Sequence, residues 1–429
     1  MALGLTRQQK FSLVAAWLGW AFDGLDGYLY VMVAVPFVSE LVRAEHGLTT
    51  EAVAASAELS MSIPAEITSK AAIIQAVFLV GWALGGAFFG RIGDKLGRSR
   101  TLTLTILTYA CFTGLSCFAT RWWHLLIFRF LAALGIGGEW AAGSALVSET
   151  LHPKHRAWAS ATLQSGYMVG CIAAALTSGW MGALPVRWVF LVGITPALLT
   201  FWIRRAVPEP QEWKDAAKAR EAPPLSAIFS RALRRTTLLT VALTAVALTT
   251  VWSLLFFSTQ CVQAIGKSAG WEPKRTAELA THVTVVYLLV NIAGNYFATY
   301  LARLVGYRWA FGLLFAASLA IFLGCFKSPP TVENVYWVMS LAAFFSLGLF
   351  GLFPLYIPPL YPTLVRTLGA GFTYNAGRLI SGAGAYVGGQ IAAQAGGPHM
   401  AIWWTGWLFV PGVIVACFIP HGEHDRVTR

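Results

Sequence analysis

Apolar residues run along this chain in long stretches broken by short polar turns, without the strict alternation that marks a half-buried strand. A stretch of about 20 apolar residues is the length of a helix that crosses hydrocarbon. Twelve such stretches can be bounded, near 11–37, 71–90, 100–119, 124–148, 157–183 and 187–205, and then near 237–265, 280–303, 308–326, 335–359, 368–395 and 401–420. They are numbered here as spans 1 to 12. Between the sixth and the seventh, residues 206–235 set Pro208, Pro210, Pro223 and Pro224 among many charges, which predicts a surface linker with room for a short amphipathic helix. The expected organisation is a six-helix bundle over 1–205, a linker over 206–235 and a second six-helix bundle over 236–429.

Composition supports that pattern. Of 429 residues, 57% are hydrophobic and 12% charged, about half the charge of a soluble domain. A soluble enzyme is disfavoured, and the lipid bilayer becomes the first partner. Lys and Arg outnumber Asp and Glu by 31 to 19, a balance that in a soluble protein would raise the question of nucleic acid; here the placement of the charges explains it. Arg7, Lys10, Arg91, Lys95, Arg98, Arg100, Lys154, Arg156, Arg303, Arg308 and Arg366 fall at one set of turns, together with the bases of the linker. The opposite turns hold only Arg43, Lys70, Arg121, Arg187, Lys267, Lys274, Arg275 and Lys327. Basic loops stay in the cytoplasm, so both termini are expected there, in a multi-pass protein of the cytoplasmic (inner) membrane with no nucleic-acid partner. The loop 38–70 on the other side is acidic, with Glu40, Glu45, Glu51, Glu58 and Glu66. The six cysteines lie within or beside apolar stretches, at spacings that suit neither a metal site nor a disulfide framework. No metal and no cofactor is expected.

Charges inside spans carry the chemistry, because a carboxylate in hydrocarbon costs several kcal/mol unless it is paired, hydrated or protonated. Span 1 holds two, Asp23 and Asp26, at depths of about 18 and 22 Å in a core of about 30 Å. Three residues apart, they share a helix face, where like charges hinder simultaneous ionisation. Glu139 of span 4 falls near mid-depth, and Arg129 falls at the depth of Asp26. Arg129 is expected to pair with Asp26, leaving Asp23 or Glu139 to load and release a proton. A purely structural ion pair is the competing reading.

In span 11, Arg378 sits near mid-depth with Tyr374 and Asn375 one turn earlier. A guanidinium cannot escape its charge by losing a proton, and its planar fork suits a carboxylate. Spans 7 to 12, as bounded, contain no acid, and Glu333 falls in a loop. A substrate carboxylate is therefore favoured over a protein acid. Tyr287, Asn291 and Asn295 form a polar stripe at intervals of four on span 8, with Gln260 and Gln263 on span 7 and Gln164 on span 5. Tyr287, Asn291, Gln260 and Gln164 join Arg378, Tyr374 and Asn375 as candidate cavity residues, although each could equally bond a neighbouring helix.

The halves echo each other. HPKHRAWASATLQSGYMVG (152–170) is similar to YPTLVRTLGAGFTYNAGR (361–378), with Arg156 matching Arg366, and GDKLGRS (93–99) has a faded counterpart in ARLVGYR (302–308), with Gly97 matching Gly306. Internal duplication follows. The turn GRIGDKLGRSR (90–100) resembles the loop signature of the major facilitator superfamily, and RFLAALGIGGEW (129–140) and PKHRAWA (153–159) agree with it. That resemblance implies an all-α membrane protein of 12 transmembrane helices in two six-helix pseudo-symmetric bundles, which rock about a central cavity. It further implies a gating network of Asp94, Arg98 and Arg100 with Glu149; a plain topology signal in the same loop is the bland reading. AAWLGWAFDGLDGYLY (15–30), GIGGEWAAGSALVSE and TYNAGR look like the sialate and monocarboxylate proton symporter branch. Its lactate transporters carry His and Asp in span 7 where SLLFFSTQC (253–261) has Phe257 and Cys261, which argues against lactate itself.

The expectation is a monomeric secondary transporter, not an enzyme, importing a small organic anion with protons. No nucleotide-binding loop is present, so an ion gradient must supply the energy. A proton-coupled exporter of drugs or metabolites is the alternative; it would use the span 1 acids but has no need of Arg378.

Overall fold

The computed structural model describes residues 4–48, 57–181, 185–394 and 396–420, with side chains outside 29–32, 57–62, 177–181, 201, 204 and 382–394. The described residues are helical or in turns, with no strand among them. Among them, eight helices are long and apolar enough to cross a bilayer unaided: Ile63–Leu96, Trp122–Thr150, Pro153–Leu176, Arg234–Ser268, Pro273–Val305, Tyr307–Cys325, Val335–Tyr356 and Pro398–Phe418. These are spans 2, 4, 5, 7, 8, 9, 10 and 12. Spans 1 (Arg7–Glu45), 3 (Arg98–Ser116) and 11 (Arg366–Gln394) are also helices, diluted by acids, threonines and glycines respectively. Span 6 is two short helices, Val186–Val192 and Pro196–Ala206.

The expected acidic loop 38–70 is largely helix instead. Phe37, Val38, Leu41 and Val42 continue the apolar face of span 1 and pack against Ile63, Ile67 and Ile74 of an extended span 2. Burial of those side chains favours helix where charge alone suggested loop. The acids meet bases: Lys70 reaches Glu66 at 2.6 Å and Glu45 at 3.3 Å, and Arg187 reaches Glu40 at 2.7 Å. Glu51 and the side chain of Glu58 lie outside the described residues.

The duplication is visible in geometry. Gly97 and Gly306 hold φ of +103° and +81° at matching turns, where a β-carbon would be strained. Arg156 Nε donates to Leu151 O at 3.1 Å, and Arg366 Nε donates to Tyr361 O at 3.3 Å, each five residues back. Between the halves, span 2 lies directly on span 11: a β-carbon on Gly86 would strike Gly371 O, and one on Gly90 would lie 2.8 Å from Leu368 Cα. Small residues permit such backbone approach. This contact closes the end of the molecule that carries the linker.

Candidate functional site

At the linker end, three side chains of the first half converge on the start of span 11. The first four N–H groups of a helix lack partners within it and carry partial positive charge. Asp94 accepts two of them in span 11, from Thr367 and Leu368, each at 3.0 Å. Arg98 holds Asp94 at 3.2 Å and Glu149 at 2.7 and 2.8 Å, and donates to Thr363 O across the interface. Glu149 also accepts from Arg366 at 3.0 Å. Asp94, Arg98 and Glu149 thus come together; Arg100 does not. Its side chain is exposed, and only its backbone N–H takes part, donating to Glu209 at 2.9 Å. Position in the loop put Arg100 in the group, but the helix that starts at Arg98 turns it outward.

The linker supplies what the motif left out. Glu209 accepts from the backbone N–H of Arg98, Ser99 and Arg100, at 2.6, 3.1 and 2.9 Å, and so caps span 3. On its short helix Gln211–Ala219, Trp213 donates to Asp94 O at 3.0 Å while Glu212 accepts from Arg366 at 2.7 Å and from Thr363 at 3.0 Å. Partial burial works to raise the Glu212 carboxyl, but Arg366 and Thr363 outweigh it and hold it below the usual 4.5.

At the centre, Arg129 of span 4 and Asp26 of span 1 make a two-pronged ion pair at 2.9 and 3.3 Å, with Thr113 Oγ1 accepting from Arg129 at 3.4 Å and the Phe78 ring 4.8 Å from the guanidinium. One turn away, Asp23 is fully buried and lies in the field of Glu139, itself 1% exposed. Neither carboxyl accepts a hydrogen bond from a donor among the described residues. Gly19 makes the room: a β-carbon there would run into Glu139 Oε1.

Arg378 is 3% exposed and has no acid within ion-pair distance among the described residues. Its Nε donates to Asn375 Oδ1 at 3.2 Å, its two terminal nitrogens have no acceptor among the described residues, and its Cζ lies 3.8 Å from the centre of the Trp82 ring and 5.5 Å from that of Tyr374. Glu278 also belongs to span 8, since that helix begins at Pro273, but it is exposed at the far end and leaves Arg378 as it is. Tyr374 stacks on Trp140 at 3.9 Å, and Trp140 Nε1 donates to Gln164 at 3.4 Å. Asn375 is fully committed: its amide donates to Gly137 O and Gly371 O, and its oxygen accepts from Arg378. It positions the arginine and has no polar atom left for a solute.

The remaining candidates lie apart. Tyr287 is buried towards the opposite end, beside Tyr28 and Ser258. Asn291 is buried, and its side chain has no hydrogen-bond partner among the described residues. Gln260 is half-buried and does not line the vestibule of about 580 Å³ at that end; Gln263 and Lys267 do, with Thr259, Trp271 and Thr284. A stripe at every fourth residue of span 7 runs 259, 263, 267, so choosing between the two glutamines needed the helix's rotation. Trp82 and Trp140 were not foreseen, since 18 tryptophans give no single one a signal.

A family model described as Major Facilitator Superfamily matches residues 16–358. The chain belongs to that superfamily. This facilitator is a multi-pass membrane transporter rather than an enzyme. It is 28% identical to the sialic acid transporter NanX of Escherichia coli (strain K12) over 86% of this chain and 84% of the relative. It is also 28% identical to the cis,cis-muconate transport protein of Acinetobacter baylyi, over 97% of this chain and 95% of the relative. Its fold is similar to that of the proton:xylose symporter XylE, with a TM-score of 0.73 at 15% identity, covering 98% of this chain and 99% of the other.

Proposed function

We propose that this facilitator imports a small organic carboxylate together with protons by alternating access. The buried, acid-free guanidinium of Arg378 carries that reading. A guanidinium without a counter-charge in a low-dielectric interior is costly, and a carboxylate entering the cavity removes the cost through its two free nitrogens. Tyr374, Trp140 and Gln164 form one wall beside it. The two relatives, named for sialic acid and muconate, are named for carboxylates.

Proton coupling rests on Asp23 and Glu139. Adjacent carboxyls that accept from no other donor can satisfy each other only if one is protonated. Asp26, neutralised by Arg129, stays out of that exchange. One proton with one monocarboxylate moves no net charge, so the pH difference drives uptake; a second proton would add the membrane potential, about 2.3 kcal/mol per 100 mV. The moving bodies are 1–205 and 236–429, joined by 206–235. Asp94, Arg98 and Glu149 hold the cytoplasmic end shut, and both termini face the cytoplasm of a monomer in the inner membrane.

The test is uptake into vesicles holding the purified protein, with radiolabelled sialic acid, muconate, nicotinate and benzoate, under an imposed pH difference. Accumulation of an acid, lost with a protonophore and with Arg378→Gln, supports the reading. Accumulation that survives Arg378→Gln overturns it, and movement only against the proton flow makes the protein an exporter.

A further inference from the structure

The end opposite the linker holds a vestibule of about 580 Å³ between the halves, lined from span 1 by Tyr28 and otherwise by spans 7 and 8 and the turn between them. Three polar side chains of span 7, Thr259, Gln263 and Lys267, line it at intervals of four. On a helix that spacing places them one above another, about 6 Å apart. Lys267 ends the ladder near the mouth, and it has no acidic partner among the described residues. Its place in the last turn suits the helix dipole, but the dipole does not require that it share a cavity wall with a free amide and a free hydroxyl.

Arg378 is not among the described residues that line the vestibule. Tyr287 lies beneath it, beside Tyr28 and Cys171, and Tyr167 lies beside Cys171, Asp23 and Arg378. Tyr28, Tyr287 and Tyr167 therefore lead, among the described residues, from a polar, positively charged outer chamber towards the buried arginine.

We propose that Thr259, Gln263 and Lys267 form an outer holding site for the carboxylate of the solute, occupied before the anion passes these tyrosines and reaches Arg378. This rests on the carboxylate reading above. A cleft carrying one sign of charge with low-dielectric walls concentrates counter-ions. Lys267 supplies that charge, Gln263 a donor pair and Thr259 a hydroxyl that can turn to the anion.

Lysine labelling tests it. The purified full chain in phosphatidylcholine vesicles is treated with anionic 4-sulfophenyl isothiocyanate or with neutral phenyl isothiocyanate, and the rate at each lysine is read by peptide mass spectrometry. Lys274, exposed and outside the lining, is the control. The expected result is that benzoate, at about ten times the concentration that gives half protection, slows both reagents at Lys267 about tenfold and leaves Lys274 unaffected. Gln263→Leu should weaken that protection. Equal protection at the two lysines, or none, overturns the holding site. Protection by phosphatidylglycerol but not by benzoate also overturns it, marking a lipid headgroup pocket instead. Arg378→Gln separates the two readings. Protection that persists in this variant shows a site of its own, whereas protection that disappears shows that Lys267 was only reporting on the centre and overturns the proposal. Should Arg378→Gln leave uptake intact, the central reading fails while the labelling result still stands.

Discussion

Arg129 and Arg378 are both buried within the spans of this protein, and they are satisfied in opposite ways. Arg129 is fully buried against Asp26, with two charged hydrogen bonds, the Thr113 hydroxyl and the face of Phe78. Arg378, 3% exposed, has one amide oxygen and the faces of Trp82 and Tyr374. An aromatic face stabilises a cation by about 2 kcal/mol when desolvated, well short of the several kcal/mol that removing a charge from water costs. Arg129 recovers that cost from a partner on its own chain. Arg378 does not, and Asp23, although within its field, stands beyond ion-pair distance. Burial alone thus fails to separate the two arginines; the presence or absence of a counter-charge does.

The comparison breaks most visibly at Arg129, the arginine paired with an acid of its own chain. Arg129→Gln strands the Asp26 carboxylate, and losing one member of a buried ion pair costs about 3–5 kcal/mol. Thermal unfolding of the detergent-solubilised protein should fall accordingly, and adding Asp26→Asn should restore most of it. If Arg129→Gln leaves unfolding unchanged, the pair is not structural. Arg378→Gln should do the reverse: unfolding unchanged or raised, and carboxylate uptake down about 100-fold, equivalent to about 2.7 kcal/mol of charge-assisted contact. Arg378→Lys sharpens this further, since an ammonium keeps the charge and loses the fork; full activity there would exclude a bidentate contact.

The acids extend the contrast. Asp23→Asn or Glu139→Gln should abolish accumulation driven by a pH difference while sparing exchange of labelled for unlabelled solute at equal pH. A variant that still accumulates solute frees that residue from proton carriage. Asp26→Asn paired with Arg129→Gln should leave the pH dependence in place. Gly19→Ala gives a steric version of the same test, because its methyl displaces the Glu139 head. A loss of coupling about as large as that of Glu139→Gln is expected, without removing any charge.

Much of this was legible in the sequence for one reason: charge in hydrocarbon is expensive, so Asp23, Asp26, Arg129, Glu139 and Arg378 stand out from any apolar run. A rise of 1.5 Å per residue set Asp26 and Arg129 at one depth, and the structure joins them. The same ruler says nothing of rotation, which is why Gln260 was chosen over Gln263, and why Arg100 was grouped with Arg98. Hydropathy finds a span but not its breaks. Span 10 passes from helix Val335–Ser346 through a 3-10 turn, Gly348–Leu352, and span 12 divides between Gly406 and Phe409. Segments buried on all sides remain apolar whether or not they are straight. Nor could the linker's role be read. Glu209, Glu212 and Trp213 look like solvated charge and surface aromatic until the turns they bind are folded.

The smallest effect belongs to that linker, and it tests whether the gate or the centre sets the pH response. The Glu212 carboxyl is held below 4.5 by Arg366 and Thr363. A carboxylate with a lowered folded value contributes fully above its unfolded value and loses that contribution only as pH falls through the lower one. Between about pH 5 and 8 the strap is therefore constant. Glu212→Gln should loosen the linker end and change maximal uptake by only about twofold, the scale of a partly exposed ion pair, with the shape of the pH profile unchanged over that range. The profile should instead move with Asp23 and Glu139. A Glu212→Gln variant whose uptake shifts along the pH axis would place proton sensing at the strap and take it away from the buried carboxyl pair.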